Sequence, residues 1–208
     1  MRTLPAILLA ALALAGCGSE NPDEAAAPEP VTVTETVTET MTETLPVTIT
    51  PPEECSTSAL RLTLPEQDLP PAVADVRRRI FDAAVACDYD ALQAIALEQG
   101  EGFTFSYGAS ADPANYWREA EHSGAEPKPM GALAAILTLP YTRNESGSYA
   151  WPTVYDESPR DEDWQALVDA GLYDAETVEQ MKTQGTGYVG YRTAITADGD
   201  WQFFVAGD

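Results

Sequence analysis

The chain has 208 residues, a net charge of −23 and a pI near 4.1. That length holds one ordinary domain with additional segments. That charge repels nucleic acid and anionic headgroups, and so excludes both as non-specific partners.

Residues 1–16 form the first element. Arg2 and the amino terminus give a positive end, and residues 4–15 are an apolar run too short to remain as a membrane span. The run closes on Leu14-Ala15-Gly16-Cys17. An aliphatic residue, two small residues and a cysteine in that order resemble the lipobox of bacterial lipoproteins. Small residues let an extended backbone enter a protease cleft, and the Cys17 thiol is a nucleophile that can carry a diacylglycerol thioether. The resemblance implies a signal peptide over 1–16 and a lipidated Cys17. It also implies a mature protein anchored by acyl chains on the extracytoplasmic face of a cell membrane.

Residues 17–54 read as a linker. Positions 18–54 carry nine acids and no Lys or Arg, and 31–44 spell the short-period run VTVTETVTETMTET, flanked by prolines. Alternating Val and Thr suits a strand, but glutamates recurring along it leave little apolar surface to bury. Composition therefore predicts a disordered, self-repelling tether with a mean span of about 30–35 Å.

From 55 to 208 the composition becomes that of a globular domain; all four Trp and all nine Tyr lie there. A helix is predicted over 71–87, opened by Pro71 and striped by Val73, Val76, Ile80, Ala84 and Cys87. Arg77, Arg78 and Arg79 fall mostly off that stripe. With Asp75 and Asp82 at i,i+4 spacing they read as a solvated face. Cys55 and Cys87 are expected to pair, which leaves Cys17 for modification and suits an oxidising compartment.

Asp88 or Asp90 is expected to cap a second helix carrying Leu92, Ile95 and Leu97, with Gly100 and Gly102 interrupting it. Phe103, Phe105 and Tyr107 alternate with Thr104 and Ser106, as in a strand. Asp112-Pro113 opens a helix closed by Gly124, and 129–139 form another, stopped by Pro140. Residues 141–148 are turn-rich. A strand is predicted over 149–155, with Pro152 arguing for a sheet edge. Helices follow from Asp161 or Asp163 to about Gly171, and from Asp174 through Met181.

The last segment, 187–196 and 200–206, reads as a hairpin around Ala197-Asp198-Gly199. A three-residue loop with Gly199 left-handed places Trp201, Phe203 and Val205 on one face with Val189, Tyr191 and Ile195. The whole is an α+β domain, an antiparallel sheet packed against helices. Its opening is a long helix, then Asp88-Tyr89-Asp90-Ala91-Leu92, then an aromatic strand. That order resembles the start of nuclear-transport-factor-2-like domains. The helices from Pro129 and Asp161 depart from that family's later run of strands. The fold hosts enzymes and binding modules alike, so it does not fix a function.

Catalytic patterns are sparse. His122, the one histidine, sits near a helix end, where it serves as a cap. No Gly-x-Ser-x-Gly elbow and no phosphate-cradling glycine loop occur. Asp156-Glu157 and Asp161-Glu162-Asp163 are acid clusters of a kind that arises freely in so acidic a chain, and Asp198-Gly199-Asp200 is explained by the turn. No catalytic, cofactor or metal residue is assigned. Aromatic side chains carry the functional expectation. Tyr107, Trp117, Trp151 and Tyr155 are the candidate ligand contacts, for an envelope glycan, a small apolar ligand or a protein; core packing is the other use of the same rings. The sequence thus points to a tethered binding module. A small acid–base enzyme of the envelope and a structural or assembly lipoprotein are the alternatives.

Overall fold

The computed structural model describes residues 55–98, 102–108, 112–124, 126–156, 158–185 and 187–207. The signal-peptide, Cys17, linker and Gly100 expectations, and Glu157 of the acid pair, lie outside these residues.

Helix α1 spans Pro71–Ala86 and starts, as expected, on a first-turn proline. It stops one residue short of Cys87, which takes a left-handed conformation (φ 51°). The Asp88 N–H then bonds the Ala83 carbonyl, satisfying the helix end. Asp88 caps α2, Tyr89–Leu97, by accepting the Ala91 N–H at 2.9 Å. Asp112 caps α3, Pro113–His122, in the same way through Asn115. Helix α4, Pro129–Ile136, is buried nearly all round.

Strands β1, Thr142–Arg143, and β2, Tyr149–Trp151, follow. A 3-10 turn at Thr153–Tyr155 leads into α5, Asp161–Asp169, and α6, Ala175–Gln184. Strands β3, Arg192–Ile195, and β4, Trp201–Val205, close the fold. The sheet is antiparallel in the order β1-β2-β3-β4, with α5 and α6 inserted between its second and third strands. The α+β class read from the sequence is the class observed.

Cross-strand pairing sets the two faces. Tyr149 and Trp151 pair with Ile195 and Thr193, which pair in turn with Trp201 and Phe204. This face packs against α1, α2 and α4. Its centre is Trp201, stacked 5.9 Å from Trp117 of α3, with Phe204 at 6.1 Å from Trp117. The Trp201 indole donates to the Thr193 hydroxyl at 2.7 Å, which satisfies its one polar atom in the core. Ala150, Ala194, Arg192 and Phe203 belong to the opposite face.

Several expectations are corrected. The hairpin turns through three residues with Gly199 at φ 96°, and Ile195 faces Trp201 as predicted. A bulge then advances β4 by one residue, so Phe204, not Phe203, joins Trp201 on the helix side. Around Phe103 the alternation holds, with Phe103 and Phe105 both against Trp117. Only Thr104 reaches the sheet, however, in a single parallel bridge to β4. The strand predicted over 149–155 ends at Trp151, because Pro152 lacks an N–H and the chain turns. Strand β2 is central, and the edge is β1, too short to show a periodic pattern.

The arginine run also divides. Arg77 is buried, not solvated: Nε and Nη2 donate to the Leu137 carbonyl at 3.2 and 2.6 Å, and Nη1 to the Pro65 carbonyl at 3.0 Å. Its guanidinium also lies over the Trp151 ring. Burial and neighbouring Arg78 lower its pKa to about 10, so it stays charged at neutral pH. Arg79 pairs with Glu98 of the residue following α2 rather than with its helix neighbour Asp75.

Candidate functional site

The predicted ligand contacts separate into two pairs. Trp117 and Trp151 are sealed in the core, 1% and 0% exposed, and are no part of a surface. Tyr107 is 62% exposed and Tyr155 half-buried, and both touch the same side chain, Arg192. The Arg192 guanidinium lies over the Tyr155 ring at 5.5 Å and donates to the Tyr107 hydroxyl at 3.3 Å. The Tyr155 and Phe203 rings pack edge-on, with centroids 6.2 Å apart.

Each of these positions has a local cause. The 3-10 turn after Pro152 folds Tyr155 back over the sheet face that carries Phe203. The Tyr155 N–H closes that turn on the Pro152 carbonyl at 3.0 Å. Arg192 begins β3 directly after a packed tyrosine corner. There Tyr188 donates to the Tyr191 carbonyl, and the Tyr173 hydroxyl accepts the Tyr191 N–H. A Cβ at position 190 would collide with the Tyr188 and Tyr173 hydroxyls, so any larger residue there displaces those two rings. The Gly190 carbonyl in turn accepts from Arg192 Nη1 at 3.4 Å. Burial raises the pKa of Tyr188 well above its ordinary value, with Tyr173 adding to it; burial also raises those of Tyr173 and Tyr191.

Tyr155 also borders an open cleft of about 630 Å³. Thr142, Arg143, Asn144, Glu145, Ser146 and Asp156 line the rest of it. The walls are held by short polar contacts. Thr142 donates to Asp156 Oδ2 at 2.7 Å, and Asp156 Oδ1 accepts the Ser158 N–H. Asn144 Oδ1 receives both the Ser146 hydroxyl and the Ser148 N–H, which fixes the tight turn between β1 and β2. Sequence reasoning missed this wall entirely. The one signal in the sequence is the Asn-Glu-Ser-Gly turn beside an aromatic, a pattern that any plain connection shares.

The other acid clusters have structural work. Asp161 pairs with Lys182, Glu162 with Arg160, and Asp163 accepts the Arg160 N–H at 2.8 Å as part of a capping box. Salt bridges of these kinds lower the pKa of exposed Asp161. His122 ends α3, with Nδ1 2.6 Å from the Arg118 carbonyl. Glu121 is the most buried described carboxylate, and it accepts the Ser56 and Met130 N–H groups. Its carboxylate lies within 4.8 Å of Cys55 and Cys87, but those sulfurs are joined in a disulfide (Cα–Cα 6.0 Å), so the trio is not a ligand set. No helix among the described residues is long and apolar enough to cross a membrane.

A polar, open cleft with one aromatic wall suits hydrogen bonding to hydroxyls plus stacking on a ring face. It offers little to a wholly apolar ligand, which would leave these polar groups unpaired. Comparison with family models, with curated proteins and with solved structures gives no match.

Proposed function

We propose that this chain is an exported lipoprotein, anchored through Cys17 on the extracytoplasmic side of a membrane, whose folded part binds a polyhydroxylated ligand of the envelope, a glycan. The anchor rests on Leu14-Ala15-Gly16-Cys17 after a short apolar run. The Cys55–Cys87 disulfide supports an oxidising compartment and leaves Cys17 as the odd thiol. The acidic 17–54 segment then serves as a leash that gives the domain reach.

One observation carries the binding reading: the cleft whose only aromatic lining residue is Tyr155 and whose remaining lining is hydroxyl, amide, carboxylate and guanidinium. Sugars present hydroxyls around their rims and C–H groups on their faces, which this lining matches. The test is calorimetric titration of the full chain, in neutral detergent, with a panel of soluble envelope-glycan fragments. Saturable binding that weakens about tenfold or more in Tyr155→Ala is expected, a loss of about 1.4 kcal/mol. Ala94→Leu, in the separate groove between α1 and α2, leaves binding unchanged. Absence of binding across the panel, or indifference to Tyr155→Ala, contradicts the reading.

A further inference from the structure

We infer that the ligand's sugar carries a single carboxylate and that Arg192 receives it; this rests on the glycan reading above. The inference starts from the charge ledger of the described surface. Arg79, Arg118, Arg160 and Lys182 each sit within 4.0 Å of an acid. Arg77 and Lys128 are satisfied by backbone carbonyls. Arg61, Arg78, Arg143 and Arg192 have no salt bridge among the described residues, although the chain carries 34 acids against 11 bases. Of these four, Arg192 is the one that lies over the Tyr155 ring of the cleft.

Its guanidinium is nevertheless held in place. Tyr155 supports one face, the Gly190 carbonyl takes Nη1 at 3.4 Å, and the Tyr107 hydroxyl takes Nη2 at 3.3 Å. Both bonds are long, and a guanidinium has five N–H donors. The remaining donors form a fork that matches a carboxylate in a bidentate pair. Tyr107, which steadies one arm, is itself 62% exposed, so the fork stands at the rim where a ligand enters. Tyr155 joins this rim to the cleft, so one saccharide can stack on the ring and direct its acid group at Arg192.

Charge decides the valence. A net charge of −23 repels a polyanion, but at physiological salt that field is screened beyond about 8 Å. A single carboxylate in direct contact with Arg192 gains the pair and feels little of the distant repulsion. A phosphate, or a run of uronates, brings further negative charge beside Glu145 and Asp156 of the cleft lining, where Arg143 is the one other cation and already lies over the Tyr149 ring.

The probe is a disaccharide of one glucuronate and one neutral sugar, compared with its methyl ester, titrated into the full chain in neutral detergent at low and high salt. The acid is expected to bind at least about tenfold more tightly than the ester, the range of a charge-assisted hydrogen bond. High salt narrows the gap, Arg192→Gln closes it, and Arg192→Lys retains part of it. Circular dichroism establishes that each variant is folded. Equal binding of acid and ester, weakened for both by Tyr155→Ala and unaffected by Arg192→Gln, overturns this inference and leaves the glycan reading standing. Failure of both probes to bind, alongside failure of the neutral panel, overturns the two together.

Discussion

The Glu121 carboxylate accepts the Ser56 backbone N–H at 2.7 Å, tying the first residues after Cys55 to the end of α3. Its second oxygen accepts the Met130 N–H at 3.1 Å, which fixes the start of α4. One buried side chain thus closes two backbone donors that have lost water. Glu121→Ala is expected to lower stability by about 3 kcal/mol, because both N–H groups lose their acceptor inside the fold. Glu121→Gln keeps one acceptor and costs roughly 1–2 kcal/mol. Urea melts of the two variants give the ordering; an Ala variant as stable as the parent contradicts it.

The disulfide sits beside this carboxylate and closes 32 positions of chain. In the chain-entropy description, opening it removes roughly 3–4 kcal/mol. Reduction without denaturant, or Cys55→Ser with Cys87→Ser, should shift the urea midpoint down accordingly. The loss should exceed that from reducing agent applied to the double variant, which should be nil. An unchanged midpoint on verified reduction refutes the assignment.

Alkaline pH should unfold the domain through its tyrosines. In the folded state Tyr173, Tyr188 and Tyr191 titrate above their ordinary value near 10, chiefly because burial disfavours the phenolate. Their contribution is fully present below about pH 10 and is lost as pH rises toward the folded values, since the unfolded chain releases those protons first. Arg77 acts with the opposite sign. Its folded pKa is lowered to about 10, so it adds stability as pH rises above that point. Three groups outweigh one, and stability is expected to fall above about pH 10. The last phase of tyrosinate absorbance, from the buried rings, should rise together with loss of circular dichroism, and Tyr188→Phe should move the midpoint upward. Complete tyrosinate absorbance, buried rings included, well before unfolding would contradict this.

Cys17 has its own test. Intact-mass analysis of protein from membranes is expected to show an N-terminus at Cys17 carrying acyl chains. Cys17→Ser should leave the membrane fraction. A mature chain that begins elsewhere, or one without acyl mass, contradicts the anchor.

Much of the fold was legible because its signals are local. Asp88, Asp112 and Asp174 cap helices where their positions before apolar stripes suggested. Gly199 set the hairpin loop, and three cysteines implied one bridge. Less was legible where tertiary context decides. No pattern announces the bulge in β4, yet it exchanges Phe203 for Phe204 on the core face. Arg77 looks like its two neighbours in sequence, and only the carbonyls of Leu137 and Pro65 distinguish it. The candidate site shows the same division. Tyr107 and Tyr155 were singled out with Trp117 and Trp151, because an aromatic residue reads alike whether it ends in a core or on a rim. Arg192 and the Thr142–Asp156 wall come together only through strand pairing and the turn at Tyr155.

The most direct measurement is amide chemical-shift mapping of the full chain as a cognate saccharide is titrated in. The account predicts that shifts concentrate at Arg143–Ser146, Tyr155, Asp156 and Arg192, and that Tyr155→Ala needs about tenfold more saccharide or greater to produce them. Shifts gathered instead along the α1–α2 groove, or a cleft that stays silent at saturating saccharide, would contradict it.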